Sequence, residues 1–116
     1  MTPTREQLEL AAKTVGFTLL GEYEESLGIV VLSPIEGQAY WNPVTDKSDS
    51  RDLEVACEIE LRYGLRGVWA IANDGRSESE VQFYSDHNNN KGLATMWAVF
   101  LCAVELGKAL ANGRAM

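Results

Sequence analysis

What this sequence has little of bounds it first. It holds one histidine and two cysteines, and neither thiol lies near a second Cys or His at ligand spacing. A structural zinc site needs such ligands in a set pattern, so that class is excluded. Cys57 and Cys102 each fall in an apolar stretch and read as two buried free thiols of a reducing compartment, not as a disulfide framework. No glycine-rich loop runs into Lys-Ser or Lys-Thr, and Asn90-Lys91-Gly92 alone is no phosphate cradle. The opening residues, Met1 to Glu6, lack the apolar run of a signal peptide. The longest apolar stretch, near Leu93 to Val104, is short for a bilayer span. A cytoplasmic protein without membrane attachment is expected. Internal repeats, linkers and low-complexity segments are also missing.

Positive charge is scarce as well. Ten Lys and Arg face seventeen Asp and Glu, for a formal net charge of -7. The basic residues are scattered singly, so no patch forms that would hold DNA or RNA directly. Anionic membrane surfaces are disfavoured for the same reason. An acidic surface instead attracts basic partners, including proteins that themselves handle nucleic acid.

What is present suffices for one folded domain spanning 1–116. A chain of 116 residues with 46% hydrophobic residues, three Trp, four Tyr and three Phe has the apolar area to offset the entropy of ordering. Apolar spacing predicts a first helix from about Pro3 to Val15, with a Thr4–Gln7 capping box and Gly16 as its stop. From Phe17 the period changes to two. Strands are predicted over 17–23, 27–32 and 38–41, the second apolar on both faces and therefore central. Ser33 to Gly37 breaks the chain, and Pro43 stops the third strand.

A second helix is expected from Ser48, Asp49 or Ser50 through about Tyr63. Leu53, Val55, Cys57, Ile59 and Leu61 alternate as in a strand, but length, capping residues and the Glu58–Arg62 spacing favour the helix. A strand over 67–72, the turn Asn73-Asp74-Gly75 and a return over 80–84 form a hairpin. The polar loop 86–90 then leads into a last helix, Lys91 to Ala111, too apolar to lie on the surface. The expected fold is α+β: one antiparallel sheet of about five short strands with three helices, in the order α-β-β-β-α-β-β-α.

Candidate chemistry is thin. His87, beside Asp86 in a polar loop, reads as a solvated residue. Asp46, Asp49 and Asp52 recur every third residue and suit helix capping better than a calcium loop, because Arg51 stands where an EF-hand needs Gly and Cys57 where it needs Glu. No catalytic, metal or cofactor site is expected. The most distinctive stretch is Tyr40-Trp41-Asn42-Pro43-Val44-Thr45-Asp46. One reading is structural, with Trp41 on the core while Asn42 and Asp46 pin a strand-to-helix turn. The other is a binding edge, since part-exposed Tyr and Trp are frequent interface anchors.

In this stretch the sequence resembles a family of small uncharacterised proteins from tailed phages and prophages. The resemblance rests on Glu9-Leu10-Ala11-Ala12-Lys13, on the Tyr-Trp-Asn-Pro-x-Thr-Asp motif at 40–46, and on Glu105-Leu106-Gly107-Lys108. The family usually follows the motif with a basic helix, whereas this chain continues with Glu54, Glu58 and Glu60. The resemblance implies phage origin and no catalytic residues. The expectation is a non-enzymatic accessory protein in the host cytoplasm that binds a host protein, such as a component of a defence or nucleic-acid-handling system. Its predicted contact residues are Tyr40, Trp41, Asn42, Asp46, Asp49, Glu54 and Glu58, within an acidic stretch that also includes Glu22, Glu24, Glu25 and Glu36. The alternatives are a homo-oligomeric assembly component using the last helix, and a small metal-binding protein or enzyme around Asp46, Asp49 and His87.

Overall fold

In the computed structural model, which describes residues 2–33 and 37–113, Thr4 caps the first helix as its spacing from Gln7 requires. The Thr4 hydroxyl accepts from the Gln7 N–H, and the Gln7 side chain accepts from the Thr4 N–H. Helix α1, Arg5–Val15, buries Leu8, Ala11 and Ala12 and ends on Gly16 in the left-handed region. Strands β1 (Thr18–Glu24), β2 (Gly28–Ser33) and β3 (Gly37–Trp41) form an antiparallel sheet, sheet A, with the doubly apolar β2 in the centre. Gly28 is required there. It adopts a φ of 100°, and a Cβ on it would lie 2.2 Å from the Trp41 carbonyl oxygen. The chain break expected over 33–37 falls mainly on Pro34, Ile35 and Glu36, outside the described residues, as does the tail from Arg114.

The second helix is shorter than its sequence suggests. Helix α2 covers Lys47–Ala56, and Glu60–Tyr63 is a strand, β4, not the helix end. The stop is a Schellman motif: the Glu58 N–H bonds the Val55 carbonyl at 3.2 Å, and the Ile59 N–H bonds the Glu54 carbonyl at 3.0 Å. The left-handed position of that motif, commonly Gly, is held by Glu58 at a φ of 47°. The alternation of Ile59 and Leu61 therefore belonged to a strand after all. Strand β4 pairs with β5 (Gly67–Ile71), and β5 with the two-residue β6 (Gln82–Phe83), which makes a second antiparallel sheet, sheet B. Between β5 and β6, Asp74 holds the loop by accepting from the N–H groups of Arg76 and Ser77 and from the Ser77 hydroxyl.

The α+β class is thus realised with six strands in two sheets, not five in one. The reason lies in helix α3, Lys91–Ala111, which Asn90 caps through the Leu93 N–H. By length and composition α3 would pass as a membrane span, contrary to the short-stretch reading. In the fold it is the central helix. Apolar on most sides, it is covered by α1 and α2 on one flank and by sheet B on the other, while sheet A rests on α1. Small residues let these elements approach. A Cβ on Gly107 would meet the Leu10 carbonyl oxygen at 2.4 Å, so α1 and α3 touch backbone to side-chain-free backbone. Phe100, Leu106, Val99 and Cys102 fill the centre of the core. The apolar residues left outside are spread over both sheets; the most exposed is Leu65 in the β4–β5 turn, at 95%.

An L-residue held in the left-handed region costs about 1–2 kcal/mol, partly offset in Gly by its greater unfolded freedom. Glu58→Gly is therefore expected to stabilise the domain by up to about 1 kcal/mol, whereas Glu58→Ala leaves it unchanged. Urea unfolding of the two variants checks this; equal stabilities would mean that the helix end is not strained.

Candidate functional site

The site begins with a corner in the chain. At the end of β3 the Asn42 N–H donates to the Asp49 carboxylate at 2.9 Å, which ties the strand to the first turn of α2. The Asn42 side-chain oxygen accepts from the Val44 N–H at 3.2 Å, closing a turn around Pro43. The Asn42 carbonyl accepts from the N–H groups of Thr45 and Asp46. Asp46 then caps α2 by accepting from the Asp49 N–H at 3.0 Å. Asn42, Pro43 and Val44 are all buried.

This corner brings α2 alongside sheet A without closing the space between them. Strand alternation turns Val31, Ser33, Ala39 and Trp41 to the face that α2 approaches. Against them stand Asp52, Val55 and Ala56 of α2, with Val15 and Phe17 at one end. A cleft of about 460 Å³ remains. Its lining is mostly apolar, and Asp49, Arg51 and Asp52 bring charge to it. Trp41 packs edge-on to Phe17, ring centroids 5.8 Å apart, and is buried to 2% exposure. Its indole Nε1 is the one buried side-chain nitrogen or oxygen without a hydrogen-bond partner among the described residues. A buried donor left unsatisfied costs on the order of 1–3 kcal/mol.

The predicted contact residues divide accordingly. Trp41 and Asn42 are interior, so neither presents a surface: the first packs in the core because strand alternation points it inward, the second because its polar groups complete the corner. Tyr40, on the opposite face of β3, is 47% exposed. Asp46 and Glu58 are exposed, and Asp49 and Glu54 half-buried. The structure brings Tyr40, Trp41 and Asp49 to one cleft, and leaves Asn42, Asp46, Glu54 and Glu58 outside its lining. The rest of the lining, Phe17, Ala39 and Val55 among it, was not among the predicted residues. Val55, an apolar residue 60% exposed on an otherwise polar helix face, was the available signal.

Charge is concentrated near this site. Residues 46–60 carry six carboxylates against two basic groups, and Glu22, Glu24 and Glu25 add three more. Elsewhere in the chain eight acidic residues balance eight basic ones, so these two segments hold the whole net charge of -7. Within α2, Arg51 pairs with Glu54 at 3.3 Å on the surface, an interaction worth little to stability.

The single histidine and both thiols are turned inward. His87 is not the solvated loop residue its neighbours suggest. It lies on a short 3₁₀ turn, Tyr84–His87, is 3% exposed, stacks on Trp97 at 6.0 Å and has Nε2 3.0 Å from the Gln82 side-chain oxygen. The Gln82 amide nitrogen donates to the Glu80 carbonyl, which leaves its oxygen to accept from His87 Nε2–H. Burial pushes the His87 pKa down, and the nearby Asp86 carboxylate does not offset it. Both thiols are free and buried. Burial raises the Cys57 pKa and pushes Cys102 up to about 12, so both stay protonated at neutral pH. Among the described residues no group of three His, Cys, Asp or Glu is placed to hold a metal ion.

Because the folded pKa of His87 lies below its unfolded value of about 6.5, the stability contributed by the neutral ring is present above that pH and lost as pH falls through it. Urea midpoints are expected to drop between pH 7.5 and 5.5 in the natural protein and to drop less in His87→Phe; parallel slopes would contradict the assignment. No family model, curated protein or solved structure matches this chain.

Proposed function

We propose that this protein is a non-enzymatic, acidic binding module of phage origin that captures a basic host protein in the bacterial cytoplasm and so inhibits a defence or nucleic-acid-handling system. The observation that carries the reading is the placement of charge. All of the net charge of -7 comes from residues 22–25 and 46–60, and the second segment forms one wall of an apolar cleft. Acidic groups around an apolar centre suit a basic partner, because the charges steer encounter and the apolar surface holds the complex. The inward placement of His87 and of both thiols supports a binding role over a catalytic one. A second reading, self-association, is favoured by the exposed Leu65 of the β4–β5 turn and the neighbouring Phe83 of β6, since α3 is already covered within the fold. A protein that stays monomeric at high concentration in light scattering counts against it.

The test is affinity capture from bacterial lysate at low and moderate salt, using the natural protein and the triple variant Glu54→Lys, Glu58→Lys, Glu60→Lys. These side chains make at most exposed ion pairs, with Arg51 and Arg62, so the variant is expected to melt as the natural protein does. One stoichiometric host protein, released as salt rises and bound at least roughly 30-fold more weakly by the variant, is the expected result. Capture that survives the reversal would reject this surface.

A further inference from the structure

Sheet A has two edges, and the fold treats them differently. Strand β1 is guarded. Its pairing with β2 is irregular between Leu19 and Tyr23, it carries Glu22 and Glu24, and the Arg5 guanidinium donates to the Gly21 carbonyl at 2.8 Å. Irregularity, charge and cover are the usual means of keeping an edge from pairing with another chain. Strand β3 has none of them. Gly37–Trp41 is uncharged, holds no proline, and keeps regular register with β2 over five residue pairs. Its main-chain groups sort by alternation. The Asn42 N–H points away from β2, to Asp49, and the Trp41 carbonyl of the same peptide plane points toward β2, close over Gly28. Trp41, Ala39 and Gly37 therefore direct their N–H and C=O groups to β2, while those of Gln38 and Tyr40 point outward. Among the described residues no element packs along that outer side, and no hydrogen bond reaches the Gln38 or Tyr40 backbone.

We propose that the open edge of β3 receives an extended, basic peptide segment as a fourth strand of sheet A, antiparallel to β3, with alternate side chains laid over the apolar cleft beside it. This rests on the reading of the protein as a binding module for a basic partner, and names what that partner presents. A row of outward N–H and C=O groups is matched by another extended chain. Alternation then decides the side chains. Those opposite Ala39 share its face and reach the cleft, whose lining there is Phe17, Val31 and Ala39; those opposite Gln38 and Tyr40 lie on the other face. The segment thus alternates, with its apolar residues toward the cleft. Charge selects where the strand comes from. Residues 46–60, which border the cleft, carry six carboxylates against two basic groups, and every copy of this chain has a net charge of -7. A basic segment is drawn to that field, whereas pairing with a second copy of β3 brings two acidic molecules together.

The experiment follows backbone amide hydrogen exchange in the ¹⁵N-labelled protein, alone and with acetyl-Lys-Val-Lys-Val-Lys-amide. In the free protein Gln38 and Tyr40 are expected to exchange quickly and Ala39 and Trp41 slowly. Saturation with the peptide is expected to slow Gln38 and Tyr40 at least about tenfold and to leave Ala39 and Trp41 as they were. Acetyl-Glu-Val-Glu-Val-Glu-amide and acetyl-Lys-Ser-Lys-Ser-Lys-amide are expected to bind at least about tenfold more weakly, for want of charge attraction or of the apolar anchors. In the antiparallel pair the lysine amides face β3 and the valine amides face solvent. N-methylation of the central lysine is therefore expected to abolish binding, and N-methylation of a valine to leave it. Gln38→Pro removes one outward donor at an edge position, where proline is tolerated, and is expected to weaken binding at least about threefold with the melting temperature kept. Edge amides that keep their exchange rates up to the peptide's solubility limit overturn the proposal, and so does equal binding of the two N-methylated peptides. Protection of Gln38 and Tyr40 that appears without peptide and grows with protein concentration overturns it too, by giving the edge to a second copy. None of these results touches the lysate capture, which fails separately if charge reversal on α2 has no effect.

Discussion

The hydrogen bond from the Asn42 N–H to the Asp49 carboxylate is the tie on which the arrangement around the cleft depends. It closes a loop between the residue that follows strand β3 and the first turn of a helix, and its acceptor is a carboxylate, which makes the stronger kind of hydrogen bond. Pro43 keeps Asn42 out of helical geometry, and the Asn42 side chain and carbonyl use up the free N–H groups of the turn. Since those groups are buried, the corner has one well-satisfied arrangement. That arrangement fixes the direction of α2. The direction of α2 in turn decides that a gap remains over Val31 and Ala39, and that the carboxylates at the start of the helix border it.

Core and surface then divide the work. The interior is organised by α3, whose small residues let α1 reach it, as the contact of Gly107 with Leu10 shows. Groups that elsewhere do chemistry are absorbed by that interior: His87 against Trp97, Cys102 against the Ser77 carbonyl, Cys57 against Thr14. The surface keeps the charge, and the charge is uneven. With eight acidic and eight basic residues in balance over the rest of the chain, the segments 22–25 and 46–60 determine how any partner sees the molecule from a distance.

Much of this was readable from the residues themselves where the determinants are local. The Thr4–Gln7 box, the Gly16 stop and the central place of β2 follow from short-range chemistry, and each appears as expected. The end of α2 was hidden because a glutamate, Glu58, occupies the left-handed position where a glycine would have announced it. The split into two sheets was hidden because it depends on α3 needing cover on both flanks, which is a tertiary demand. His87 stands among Asp86, Asn88 and Asn89, polar neighbours that give no hint of the Trp97 ring behind it. The Tyr-Trp-Asn-Pro stretch was recognisable as special, and of its two readings the structural one describes Trp41 in the core and Asn42 and Asp46 in the turn, while Tyr40 is 47% exposed.

The central claim is that the Asn42–Asp49 tie fixes the start of α2 beside the end of β3. Residue-resolved amide hydrogen exchange on the natural protein and on Asp49→Ala tests it most directly. Loss of a charge-assisted hydrogen bond, worth about 1.5–3 kcal/mol, is expected to speed exchange at Asn42 and in the first turn of α2 at least about tenfold. Amides of β5, in the other sheet, and of the central helix α3 keep their rates. An unchanged rate at Asn42, or a uniform acceleration of every amide, would contradict the account.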